Sequence, residues 1–152
     1  SMFQKIKFKL NLKIINFPIY ISRHGESEFN VINKLGGNSL LTKKGLLYSQ
    51  KLSEYLEKEI SNDFMVFTSN LKRTIDTSNN ITQSNCIKKI RSRLLNEIHA
   101  GICENMTNIE INNIYPEICE QRSKNKFYYR YPEGESYMDL LERLQYFILL
   151  LL

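Results

Sequence analysis

Short apolar runs that stop at a small or polar residue and hand over to a helix-period stretch recur along this chain. That alternation most narrows what it can fold into. Ile19-Tyr20-Ile21-Ser22 runs into Arg23-His24-Gly25, Phe64-Met65-Val66-Phe67-Thr68 runs into Ser69-Asn70, and a third run covers 86–90. Between the first two, Thr42 is a good N-cap. Leu47, Leu52, Tyr55, Leu56 and Ile60 fall on one helical face after it, with Glu54 and Glu57 pointing away. Strands alternating with helices predict an α/β fold of three layers, α/β/α, around a mostly parallel sheet. At 152 residues the chain fits one domain with a real core rather than two.

The remaining segments fill in that plan. Phe8, Leu10, Leu12 and Ile14 alternate with more polar neighbours, a period-2 strand pattern ending near Pro18. Residues 19–22 predict a short strand covered on both faces. A loop is expected from Gly25 through Gly36-Gly37-Asn38-Ser39. Ser69 or Asn70 is expected to cap a helix that carries Arg73 in its first turn. Thr107 with Glu110 spells a capping box for a helix with Ile109, Ile111 and Ile114, closed by Pro116. Basic and aromatic residues then occupy 122–131, followed by the turn Pro132-Glu133-Gly134. Ser136 with Asp139 opens a last helix whose apolar stripe is Leu140, Leu144, Phe147, Ile148 and Leu151. There is no internal repeat.

Composition removes several function classes. Three cysteines, odd in number and widely spaced, and two histidines give no metal-ligand spacing and point to a reducing, cytoplasmic setting without a structural zinc. The net charge of +5 has its densest basic run in Lys5, Lys7, Lys9 and Lys13, with no nucleic-acid motif beside it, so nucleic acid is the weakest reading of the charge. No signal peptide is expected, because the N-terminus alternates charged and apolar residues. The apolar end from Phe147 to Leu152 falls far short of the roughly 20 residues a membrane helix needs, so no membrane partner is expected.

In open α/β sheets, ligands sit outside the carboxyl ends of strands, where His24 and Arg73 both fall. A phosphate-transfer site needs a nucleophile there, bidentate cations on the phosphoryl oxygens and an acid for the leaving group. His24 can attack phosphorus through a ring nitrogen. Arg23 and Arg73 supply guanidinium forks, and Asn30 can donate an amide N–H to the same oxygens. Glu97, flanked by apolar Leu95 and Ile98, is a candidate to hold a proton for the leaving group; the alternative is a plain ion pair with a basic group. The alternative for Arg73 is an ordinary surface helix arginine. The 122–130 cations fit either a second phosphate or a solvated face, and Tyr128, Tyr129 and Tyr131 either packing or binding.

Arg23-His24-Gly25-Glu26 resembles the signature of the histidine phosphatase, or phosphoglycerate mutase-like, superfamily. The likeness extends through Asn30, Leu35-Gly36-Gly37, Leu71-Lys72-Arg73-Thr74-Ile75, Leu95-Asn96-Glu97-Ile98, Cys103-Glu104, Met106-Thr107 and Arg130-Tyr131-Pro132 with Gly134-Glu135-Ser136-Tyr137. Together these resemble the fructose-2,6-bisphosphatase domains of the bifunctional 6-phosphofructo-2-kinase/fructose-2,6-bisphosphatase family, from about Pro18 onward. The resemblance implies a cofactor-free hydrolysis of the 2-phosphate of fructose 2,6-bisphosphate, a step in glycolysis regulation, through a phosphohistidine at His24. Arg23, Asn30 and Arg73 would hold the transferring group and Glu97 would protonate the leaving sugar oxygen. Gly36 would line the substrate, and Arg122, Lys126 and Arg130, with Tyr137 nearby, would bind the other phosphate. A phosphoglycerate mutase or broader phosphatase of the same superfamily is the nearby alternative; a non-catalytic phosphate-binding fragment is the distant one.

The likeness has gaps. Asn108 stands where the family has a tyrosine, His99 where it has aspartate, and Leu40 where it has a glycine. The family's second catalytic histidine lies on a strand beyond the last helix, so the expectation is a domain incomplete at its C-terminus and weak or inactive in this form; His99 is a remote substitute. The division expected is 1–17 as an N-terminal strand or linker and 18–152 as the partial phosphatase domain. The 8–14 strand resembles the end of a fused kinase domain, which makes a fused or partner kinase an expected neighbour, though no P-loop lies in this chain.

Overall fold

The computed structural model describes residues 18–151. The strand expected over 8–14, and with it the boundary at 17/18, lies outside the described residues. The core of the architecture is a β–α–β unit. Strand β1 (Phe64–Thr68) and strand β2 (Cys86–Arg91) pair in parallel, with Met65 opposite Lys88 and Thr68 opposite Arg91. Parallel neighbours need a crossover, which helix α3 (Lys72–Asn79) supplies. The crossover also accounts for a lysine on a strand, since Lys89 Nζ donates to Ser78 O at 2.7 Å and so caps the carbonyl end of α3.

Helices cover both faces of this ribbon. Helix α2 (Lys43–Glu59) begins where expected, Thr42 Oγ1 accepting from Gly45 N at 3.1 Å. Its Leu52 and Leu56 form a core with Ile81, against which Tyr55, Ile60, Phe64 and Val66 pack. Phe67 has the opposite parity on β1 and points to the other face. There it meets Phe147 of helix α6 (Tyr137–Leu150), edge to face at 5.5 Å. Two helices, α2 and α6, on opposite faces of β1 make the three layers that the alternation predicts. A second core gathers Ala100, Cys103, Ile111, Ile118 and Tyr131 under helices α4 (Asn108–Ile114) and α5 (Pro116–Lys124).

Both predicted capping boxes form, at Thr107/Glu110 and Ser136/Asp139, and they start α4 and α6. Other expectations are corrected. Residues 19–22 carry no strand, because a strand needs a second backbone at ladder distance and the described sheet consists of β1 and β2. The 25–39 loop contains a one-turn helix α1 (Glu28–Val31), nucleated by a capping box between Ser27 and Asn30. Leu47 is exposed rather than part of the α2 stripe, whose buried face is Gly45, Ser49, Leu52 and Leu56. β1 is only partly covered, Met65 being half-exposed. Neither Ser69 nor Asn70 caps α3; Leu71 takes the cap position without a side-chain bond, and the Ser69 hydroxyl accepts from Leu71 N one residue early. Pro116 does not merely close α4. Its missing N–H costs nothing at a helix start, and it opens α5. Among the described residues no helix is long and apolar enough to cross a membrane.

Candidate functional site

The His24 turn is wedged against the start of α2 by two glycines. A Cβ on Gly25 would lie 2.5 Å from Gly45 O, and one on Gly45 would lie 2.1 Å from Glu26 O. From the other side Gly25 N donates to Thr77 Oγ1 at 2.9 Å, and that hydroxyl donates to Arg73 O at 2.6 Å. The turn bearing His24 is therefore tied to the helix bearing Arg73 through one buried threonine.

The histidine's protonation state follows from one contact. His24 Nδ1 lies 2.6 Å from Gly25 O. A carbonyl oxygen only accepts, so Nδ1 carries the proton and Nε2 keeps its lone pair. Burial pushes the imidazole below its ordinary value of 6.5; the Gly25 carbonyl works against this, the charges of Arg73 and Arg23 reinforce it, and Glu97 opposes it. His24 is thus a neutral base or nucleophile at neutral pH, with Nε2 the atom that acts.

Arg73 is no surface arginine: it is 2% exposed, and its guanidinium donates to Gly37 O at 2.8 Å and to Glu97 Oε2 at 2.5 Å. Glu97 lies at the other end of that bond, its Oε1 without a protein partner among the described residues. It is half-exposed and ion-paired, not enclosed by Leu95 and Ile98 as the flanking sequence suggested. Asn30 is also partly committed, because its Oδ1 accepts from Ser27 N and the Ser27 hydroxyl within the capping box. Its Nδ2 has no protein partner among the described residues and remains a free donor.

Two adjoining cavities share Arg73, Glu97 and Gly36. The smaller, of about 250 Å³, is lined by Arg23, Ser27, Asn30, Lys34 and Asn108 as well. The larger, of about 400 Å³, adds Gly37, Arg93, His99, Glu135 and Arg143. The glycines at their junction have a geometric cause. Gly36 has φ of +57°, and a Cβ there would lie 2.2 Å from the Glu104 carboxylate. That carboxylate accepts from Gly37 N at 2.5 Å and Ala100 N at 2.7 Å, fixing the backbone that receives Arg73.

Arg23, Asn30, Gly36, Arg73 and Glu97 therefore line the joined cavities; His24 lines neither, but lies near enough for the charges of Arg73, Arg23 and Glu97 to act on its imidazole. The other four site residues do not join them: Arg122, Lys126, Arg130 and Tyr137 line neither cavity. Arg122 lies over the Tyr131 ring at 5.4 Å, Lys126 over Tyr137 at 5.8 Å, and Arg130 donates to Asp139 Oδ1 at 2.5 Å. Tyr131 is buried core, while Tyr128 is exposed. Sequence reasoning missed Lys34, Glu104 and Arg143. Only Lys34 had a readable signal, a cation four residues beyond Asn30 in the same loop.

Chemically, a lone-pair nitrogen framed by two arginines, a free amide donor and a carboxyl group suits a tetrahedral anion. These features define a class, an α/β domain built to hold a phosphoryl group, with its histidine segment tied to helix α3 through Thr77. Residues 19–152 match the profile of the histidine phosphatase superfamily (branch 1), and the chain belongs to that family. It is 41% identical over 140 residues to 6-phosphofructo-2-kinase/fructose-2,6-bisphosphatase 3 of Rattus norvegicus, covering 92% of this chain and 24% of that protein. It is 40% identical over 142 residues to 6-phosphofructo-2-kinase/fructose-2,6-bisphosphatase of Arabidopsis thaliana, covering 91% and 18%. The chain thus spans a quarter or less of the length of these two relatives. Among solved structures it is similar to Bacillus stearothermophilus YhfR, with a TM-score of 0.75 and 26% identity over 86% of this chain and 64% of that one. The alpha-ribazole phosphatase from Shigella flexneri shares the fold at a TM-score of 0.76 and 23% identity, covering 84% and 63%.

Proposed function

We propose that this chain is a phosphomonoesterase domain that removes the 2-phosphate of fructose 2,6-bisphosphate, and that in its parent protein it accompanies a sugar-phosphate kinase domain. The observation that carries the chemistry is the His24 ring, with Nδ1 held on Gly25 O and Nε2 left with its lone pair. Nε2 attacks phosphorus, and the bond from phosphorus to the sugar oxygen breaks. Arg23, Arg73 and Asn30 Nδ2 take up the charge on the phosphoryl oxygens. Glu97, in its protonated form, gives its proton to the departing oxygen. As a carboxylate it then takes a proton from the water that attacks phosphorus, and inorganic phosphate leaves with His24 restored.

The sugar bisphosphate is supported by the two bifunctional relatives, each about 40% identical. A broader phosphatase of the same superfamily is the second reading, favoured by the absence of Arg122, Lys126 and Arg130 from both cavities. Phosphate release from fructose 2,6-bisphosphate, from fructose 6-phosphate and from glycerol phosphate separates the two. The proposal expects preference for the bisphosphate, lost in Arg130→Ala and abolished for every ester in His24→Asn. Equal rates on all three esters, unchanged in Arg130→Ala, would overturn the sugar-bisphosphate assignment.

A further inference from the structure

The cleft's carboxyl group stands on a segment with little secondary structure of its own. After the 3-10 turn Arg93–Leu95 the chain runs through Asn96 and Glu97 to His99 outside any helix or strand. Among the described residues, the carbonyls of Leu94, Asn96 and Glu97 accept from one side chain, Arg143 of α6. Its Nη1 donates to Leu94 O at 2.6 Å, and its Nη2 to Asn96 O at 2.6 Å and Glu97 O at 3.1 Å. The remaining donor, Nε, and Nη2 again, hold Glu135 at 2.8 and 3.1 Å. Glu135 in turn accepts from His99 N at 2.9 Å, and its own N–H donates to His99 O at 2.8 Å. Burial alone would push the Glu135 carboxyl up, but Arg143 and the His99 N–H hold it below the ordinary carboxylate range, so the clamp is charged. Besides the clamp, the segment is tethered by Asn70 N on Asn96 Oδ1 and by Ser92 N on Thr68 O.

We propose that Arg143 is a positioning residue for the acid step: it fixes the backbone of Glu97 so that the carboxyl group reaches both Arg73 and the leaving oxygen. This rests on the reading of Glu97 as the acid. Arg143 lines the larger cavity, but each of its three guanidinium nitrogens donates to a protein oxygen, so its part is to hold the segment. Its side chain is 16% exposed. A planar fork serves three carbonyls and a carboxylate at once, which an ammonium cannot do.

The test uses the dependence of rate on the leaving group. An ester with a basic leaving alkoxide needs the proton from Glu97, whereas 4-nitrophenyl phosphate, whose phenolate leaves unaided, does not. The rate of phosphohistidine formation from glycerol phosphate and from 4-nitrophenyl phosphate, read by rapid quenching, is compared in wild type, Glu97→Gln, Arg143→Met and Arg143→Lys. Arg143→Met is expected to slow that step about 100-fold with glycerol phosphate and less than about 5-fold with 4-nitrophenyl phosphate, with Arg143→Lys between it and wild type. Equal losses on both esters would overturn the proposal, since a merely structural role slows both alike. If Arg143→Met does not fold, the same ester ratio in Arg143→Lys decides. The acid reading itself fails separately, if Glu97→Gln slows phosphohistidine formation equally from both esters; loss of overall turnover on both is expected, because Glu97 also serves the water step. Absence of turnover of either ester in the parent protein would remove both.

Discussion

Replacing Arg73 by lysine keeps the charge and removes the fork, and the structure gives both consequences a size. Arg73 is buried and divides its donors between Gly37 O, at 2.8 Å, and Glu97 Oε2, at 2.5 Å. A lysine ammonium on a flexible stem can keep one of the two. A hydrogen bond to a charged group contributes about 1.5–3 kcal/mol, and the half-exposure of Glu97 puts its bond toward the lower end. Arg73→Lys should therefore cost about 1–2 kcal/mol of stability, a Tm drop of roughly 3–7 °C in a chain of this length. The loss in turnover should be larger, because the remaining N–H groups of the fork are what would meet the developing charge on the phosphoryl group. Removing one such donor costs about 100- to 1000-fold in kcat, or roughly 2.7–4 kcal/mol. Differential scanning calorimetry and phosphate release, measured on the same preparation, give the two numbers. A variant that melts as much as 7 °C lower yet turns over within about threefold of wild type would refute the catalytic placement of Arg73.

Two other expectations follow from the same geometry. In solvent-exposed helices glycine to alanine stabilises by about 1 kcal/mol, but in Gly45→Ala the new Cβ would lie 2.1 Å from Glu26 O, so the sign reverses and thermal melting should show a lower Tm. His24 has a folded pKa below 6.5, so the unfolded chain takes up that proton first; its contribution is fully present above about 6.5 and is lost as pH falls through the folded value. Urea unfolding at about pH 7.5 and about pH 5 should accordingly show a smaller loss in His24→Asn than in wild type, and the acid limb of kcat/KM should lie below 6.5 in wild type.

What the sequence made legible was local. Thr107 with Glu110 and Ser136 with Asp139 sit three residues apart, so the capping boxes they form need no tertiary information. The place of Arg73 in the first turn of α3 was readable for the same reason. The same arithmetic misplaced the α3 cap, because Ser69 bonds Leu71 N without itself entering the cap geometry. Helix α5 was hidden because its apolar residues are few and its end merges with a basic stretch, leaving Ile118 as its single fully buried residue. Glu97's environment was misjudged from its neighbours in sequence, since Leu95 and Ile98 say nothing of a guanidinium on residue 73. Arg143 was invisible, because the carbonyls it holds are 46 to 49 residues away and backbone carbonyls carry no sequence signal. The cations of 122–130 fell between the two readings that the sequence left open: all three are anchored on aromatic or acidic partners, and none faces either cavity.

The central claim is that His24 acts through Nε2, and the position of the phosphoryl group on the ring tests it most directly. Rapid quenching in base during turnover of fructose 2,6-bisphosphate, followed by phosphorus NMR of the denatured protein, distinguishes the two phosphohistidine isomers. Because Gly25 O holds the proton on Nδ1, the phosphoryl group is expected on Nε2, and absent from His24→Asn. Phosphate on Nδ1, or steady hydrolysis in His24→Asn with no histidine adduct in wild type, would contradict the account.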